Sequence, residues 1–198
     1  MKTKKLDVRK LAGTAMLAAV AAVLMFFEFS VPLIPAFIKM DFSELPALIA
    51  AFAYGPVSGV AVCLVKNLLH LFFTATGGVG ELSNFILGAM FVLPAGLIYK
   101  YKKTKGFAVA GAFLGAVVMA GVSVITNYYI VYPIYFNMMP LEAILDAYRA
   151  INPAVKNLWQ ALLWFNLPFT FIKASFSIII TIFIYKPLAG ILKGKKTA

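Results

Sequence analysis

Apolar positions in this chain fall in long blocks, not in the strict alternation of a half-buried strand. Residues 11–27, 45–65, 67–80, 82–99 and 106–141 contain no charged side chain, and 157–185 contains only Lys173. A helix needs about 20 mostly apolar residues to cross hydrocarbon, so the blocks predict membrane helices. Turn signals divide them: "YGP" at Tyr54–Pro56 and the glycine-rich "TATGGVG" that follows residue 73. The predicted helices cover 9–29, 44–54, 57–73, 80–101, 107–133 and 157–187, giving an all-α membrane fold with six segments in a single domain over 1–198. The second helix is short. At 1.5 Å per residue it covers about half of the hydrocarbon core, so it is expected to pack among other helices, with its preceding loop dipping inward under protein cover. Between the last two blocks, Leu141, Ile144, Leu145 and Tyr148 recur at i, i+3, i+4 and i+7. That spacing predicts an amphipathic helix lying over one face of the membrane.

Composition supports the membrane reading and orients it. The 198 residues are 63% hydrophobic and 13% charged, where soluble domains average about 25% charged. The net charge of +11 is spread over two tails and one loop: Lys2, Lys4, Lys5, Arg9 and Lys10; Lys100, Lys102, Lys103 and Lys105; Lys186, Lys193, Lys195 and Lys196. Short basic segments beside apolar spans mark the cytoplasmic side, and nucleic acid is not expected as a partner. With both termini inside, only Asp7 of the seven acidic residues is cytoplasmic. The first apolar block leads into Glu28 and a proline-rich loop, not a cleavage site. Cys63 and His70 are the only residues of their kinds, which excludes a disulfide within the chain and argues against a His/Cys metal site. "GILKGKKT" lacks P-loop spacing, and no nucleophile–base set or paired carboxylates share a face. No catalytic residue and no cofactor are assigned.

Polar side chains within spans are costly, so they are functional candidates. Asn166, Thr170, Lys173 and Ser177 share one face of the last helix, at i, i+4, i+7 and i+11. Ser123 and Asn127 lie on the fifth helix, Glu81 and Asn84 open the fourth, and Lys66, Asn67 and His70 end the third. Nearly all fall in the outer half, as a pocket opening outward requires. Each has a plainer reading: Lys66 with Glu81 as a structural ion pair, His70 as an interfacial histidine, the serines bonded to their own helices, Trp159 and Trp164 as belt anchors. Lys173 is the hardest to explain plainly, because no acidic residue on the last two helices faces it. Asp41 and Glu44 read as an Asp-x-x-Glu capping box opening the short helix. On the first helix, Ala15 and Ala19, with Ala18 and Ala22 beside them, form a small-residue stripe that suits close helix contact, with a partner or within the chain.

These residues carry a resemblance. "IKMDFSELPALIAAFAYGPVSGVAVCLVKNLLH" (38–70), "GGVGELSNFILG" (77–88), "TNYY" in the fifth helix and "LPFTFIK" (167–173) resemble the riboflavin-specific S components (RibU family) of energy-coupling factor (ECF) transporters, over nearly the whole chain. The resemblance implies a subunit of the bacterial cytoplasmic membrane that captures riboflavin from outside. It implies partners too: a transmembrane T component contacted through Ala15, Ala19, Ala18 and Ala22, and two ATP-binding cassette ATPases. It places the flavin beside Asn127, Lys173, Thr170 and Asn166, with Asn84, Glu81 and the loop-and-helix residues Met40 and Leu45 in the same site. Thr170 stands where the family often has asparagine, so one amide donor is lost there. "VPLIPAFIKM" suits a lid over a flat ring. An S component for another vitamin such as pantothenate, and a small intramembrane enzyme, are the rival readings. FMN as co-ligand would need cations at the mouth, where Lys39, Lys66, Arg149 and Lys156 are candidates.

Overall fold

A computed structural model describes residues 7–74 and 76–193, with side chains as far as Tyr185. Lys2, Lys4, Lys5, Lys195 and Lys196 of the basic tails lie outside the described residues, as do the side chains of Lys186 and Lys193. The chain forms α1 (Val8–Phe26), a two-stranded ribbon of β1 (Phe29–Ser30) and β2 (Lys39–Met40), α2 (Glu44–Tyr54), α3 (Pro56–His70), α4 (Val79–Tyr101), α5 (Lys105–Tyr135), α6 (Leu141–Arg149) and α7 (Leu158–Lys193). Five helices are long and apolar enough to cross a membrane: α1, α3 with its short extension to Phe73, α4, α5 and α7. Their outward faces carry large apolar side chains such as Val57, Phe72, Leu97 and Ile179, which suits lipid contact and not water.

The short α2 is the centre of the bundle. Ala47, Leu48, Ala50 and Ala51 are all buried, and α2 packs on α1, α3, α4 and α7. Gly55 at φ 103° turns the chain back on itself, a conformation that side chains with a Cβ avoid, and Pro56 then starts α3. On α5, Gly111 and Gly115 face α4. A Cβ at Gly115 would stand 2.3 Å from the Phe91 carbonyl oxygen, so the two backbones touch as in membrane helix pairs built on small residues.

Two expectations need correction here. The loop after α1 contains a ribbon, with Phe29 opposite Met40 and Ser30 opposite Lys39, and α1 ends three residues earlier than predicted. The capping box does not form. Ser43 precedes α2 without a side-chain cap, and Asp41 Oδ1 instead accepts from the Ser43 amide at 2.7 Å and from its hydroxyl.

Candidate functional site

A cavity of about 710 Å3 lies among the ribbon loop, α3, α4, α5, α6 and α7, within the size range of small-molecule sites. Its wall is mostly apolar and aromatic: Met25, Phe37, Leu87, Met119, Tyr132 and Phe169 among others. Six of the eight residues proposed to surround the flavin meet on it: Asn127, Asn166, Thr170, Lys173, Asn84 and Glu81. Met40 and Leu45 do not line it. Met40 is buried in β2, and Leu45 packs against the core beside α2; strand and helix geometry turn both away from the cavity.

Proline sets the local backbone at two of these positions. Pro133 and Pro168 stand inside continuous helices, where each lacks an N–H and crowds the carbonyl four residues back. Both helices widen to a π turn just upstream, at Asn127–Val131 and Leu162–Asn166, with Tyr132 bonded to the Asn127 carbonyl and Leu167 to that of Leu162. Such widened turns occur often at functional sites. Here they end or begin on the two asparagines of the cavity wall. The prolines were the available sequence signal.

The two asparagines differ in what they keep free. Tyr148 of α6 donates to Asn166 Oδ1 at 2.7 Å and stands 2.6 Å from the Tyr132 hydroxyl, so Asn166 is tied into a polar network. Asn127 is 7% exposed, and its side chain makes no hydrogen bond to any other described residue. Asn127 therefore offers its amide to the cavity, as Thr170 does its hydroxyl, which makes no hydrogen bond to another described residue either. Asn84 accepts from Asn67 at 3.2 Å.

Lys173 is partnered after all, from a distant part of the chain. Its Nζ lies 2.8 Å from Asp41 Oδ2 and 3.3 Å from Glu44 Oε2. Lys66 lies 3.1 Å from Glu44 Oε1 and donates to Ser43. Two lysines and two carboxylates, all buried, therefore clamp the end of the ribbon loop onto α3 and α7. Burial would raise the Asp41 pKa, but Lys173 and Lys66 beside it prevail and hold the carboxyl well below its usual range. The expected Lys66–Glu81 pair is absent: Glu81 lies 2.8 Å from His70 Nδ1 and accepts from Thr74 and Thr76. At the rim Lys39 pairs with Glu28. Both lysines on the cavity wall, Lys39 and Lys173, thus face carboxylates, and Glu81 is held by hydrogen bonds from its neighbours.

The stripe on α1 divides in two. Ala15 and Ala19 are exposed, whereas Ala18 and Ala22 are buried against the bundle.

Comparison with known proteins decides the family. The model of the ECF transporter substrate-specific component matches residues 9–185. The chain belongs to the substrate-specific components of ECF transporters. It is therefore a multi-pass membrane protein and the substrate-binding subunit of a transporter, in a family that works with an ECF module. The riboflavin transporter RibU of Staphylococcus aureus is 36% identical over 185 residues, covering 93% of each chain. The riboflavin transporter FmnP of Bacillus subtilis is 36% identical over 154 residues, covering 76% of this chain and 80% of that one. A solved S component of a bacterial ECF transporter superposes with a TM-score of 0.75 at 34% identity, over 94% of this chain and 99% of the other.

Proposed function

We propose that this S component binds riboflavin in the large cavity, from the outer face of the membrane, and delivers it to a T component and two ATPases that supply the energy. The observation that carries the reading is a wall whose lysines are both paired while the Asn127 amide has no partner among the described residues. Such a wall suits a neutral, flat, largely apolar ligand with hydrogen-bonding edges. Riboflavin has that chemistry, and it is the substrate named for both curated relatives above. Asn127 and Asn166 would meet the ring's polar edges, with Thr170 and Lys173 beside them. Lys173 then acts mainly by fixing the loop through Asp41. Glu81 and Asn84 complete the wall near its mouth.

Three of the four cations an FMN phosphate would need are engaged elsewhere, and the fourth, exposed Lys156, does not line the cavity. Lys39 pairs with Glu28, Lys66 is buried against Glu44, and Arg149 binds Glu142 and Asp146. That favours the unphosphorylated flavin. In the membrane, α2 counts as a sixth, partial segment in the one domain, which places both termini and the 102–104 turn in the cytoplasm and α6 outside. The exposed Ala15 and Ala19 supply the face for the T component, while Ala18 and Ala22 serve internal packing. The chain carries no catalytic step.

The test is a titration of the purified protein with riboflavin, followed through the flavin's own fluorescence. Trp159 and Trp164 are poor reporters because neither stands on the cavity wall. Saturable one-to-one binding that displaces with riboflavin but not with pantothenate is the expected result. Binding of pantothenate alone would overturn the assignment and leave the fold standing.

A further inference from the structure

A second cavity, of about 330 Å3, opens between α2, α5 and α7 at the end of the bundle that carries the 102–104 turn. Its wall contrasts with that of the first. Leu48, Ala108, Ile178 and Ile182 make an apolar lining, and Lys103 and Lys105 stand at its edge. These two lysines are the only charged side chains on the wall among the described residues, and neither forms an ion pair there. From this we infer that the cavity is a site for an anionic membrane phospholipid, with its phosphate against Lys103 and Lys105 and part of one acyl chain along Leu48, Ala108, Ile178 and Ile182. A soluble anion would leave the apolar lining unfilled, and a neutral lipid would make no use of the two cations at its edge. Basic pockets between helices on the cytoplasmic side suit anionic headgroups. The inference rests on the proposed sidedness for which leaflet supplies the lipid, but not for the binding itself.

The test uses the full chain in detergent. Phosphatidylglycerol and phosphatidylcholine are added at equal mole fraction, and the retained lipid is counted by native mass spectrometry. The expected result is a preference for phosphatidylglycerol of about thirtyfold, as two lysine contacts of about 1 kcal/mol each would give. That preference falls to within about twofold in the double variant Lys103→Gln/Lys105→Gln and weakens in Ala108→Leu, which fills the lining. Equal retention of the two lipids, or a preference that survives the double variant, would overturn the site. So would displacement of phosphatidylglycerol by inorganic phosphate, which would mark a free-anion site. Monodispersity on size exclusion reports folding separately from flavin binding. The double variant alters exposed side chains only, so it decides the matter even where Ala108→Leu fails to fold.

Discussion

The region around the large cavity and the packed region where α4 and α5 cross share helices but use them differently. Around the cavity, α5 and α7 widen into π turns, amides stand open, and buried ions hold a loop in place. At the α4–α5 crossing, Gly111 and Gly115 bring backbones into contact, with Phe91, Ala95 and Ala112 filling the interface. Lipid gives little hydrophobic drive for helices to associate, so close packing has to supply it. The crossing is therefore built for fit. The cavity region gives up fit to leave room for a ligand, and ion pairs hold open what packing would otherwise close.

Removing the ions should have the largest effect. Lys173→Met leaves Asp41 and Glu44 buried with only Lys66 for charge balance, and breaking a buried pair costs about 3–5 kcal/mol. The expected outcome is a large loss of thermal stability in detergent together with loss of flavin binding. A variant within about 1 kcal/mol of the parent would mean that water, not Lys173, solvates the carboxylates. Next comes Gly115→Val. A Cβ at 2.3 Å from a backbone oxygen cannot be accommodated by a side-chain shift, so a cost of about 3 kcal/mol or more is expected, read as a lower melting temperature. A parent-like melting temperature would show that α4 and α5 can separate cheaply.

The sequence separates these two regions unevenly. The apolar blocks, the "YGP" turn and the short second helix are all readable, because block length and turn chemistry are local properties. So is the polar face of Asn166, Thr170 and Lys173. Asp41 is the residue that sequence reasoning misassigned. It lies 132 positions from Lys173, and the nearby Glu44 offered a complete local explanation as a capping box. The same locality linked Lys66 to Glu81, when α2 supplies its partner across the hairpin. Met40 and Leu45 stand off the cavity wall for a related reason. Being in the loop and at the helix start does not determine which way a side chain points.

A smaller effect, confined to binding, separates ligand contact from scaffold. Asn127→Ala removes an amide that no described residue uses, so stability should hold. Flavin affinity should fall by about 10–100-fold, equivalent to about 1–3 kcal/mol. Equal losses of stability and affinity would make Asn127 structural. Smaller still is Ala15→Leu with Ala19→Leu. Both positions face outward, so riboflavin binding by the isolated subunit should stay within about twofold, while uptake by cells carrying the whole transporter falls. Unchanged uptake would remove that face from the partner contact.

The least effect is expected from pH, and its absence would be informative. Asp41 has a folded-state pKa below its unfolded value. Its contribution is therefore fully present above the ordinary carboxylate pKa of about 3.9, and it is lost only as pH falls from there toward the lowered folded value. Between about pH 5.5 and 8 the clamp stays charged, and riboflavin is neutral throughout. Affinity measured across that window should change by less than about twofold, with thermal stability declining only below about pH 4. A rise or fall inside that window would transfer control of the cavity mouth from the Asp41–Lys173 clamp to groups at its rim. The cavity would then depend on its rim and not on its buried ions, which is the opposite of what the buried Asp41–Lys173 pair implies.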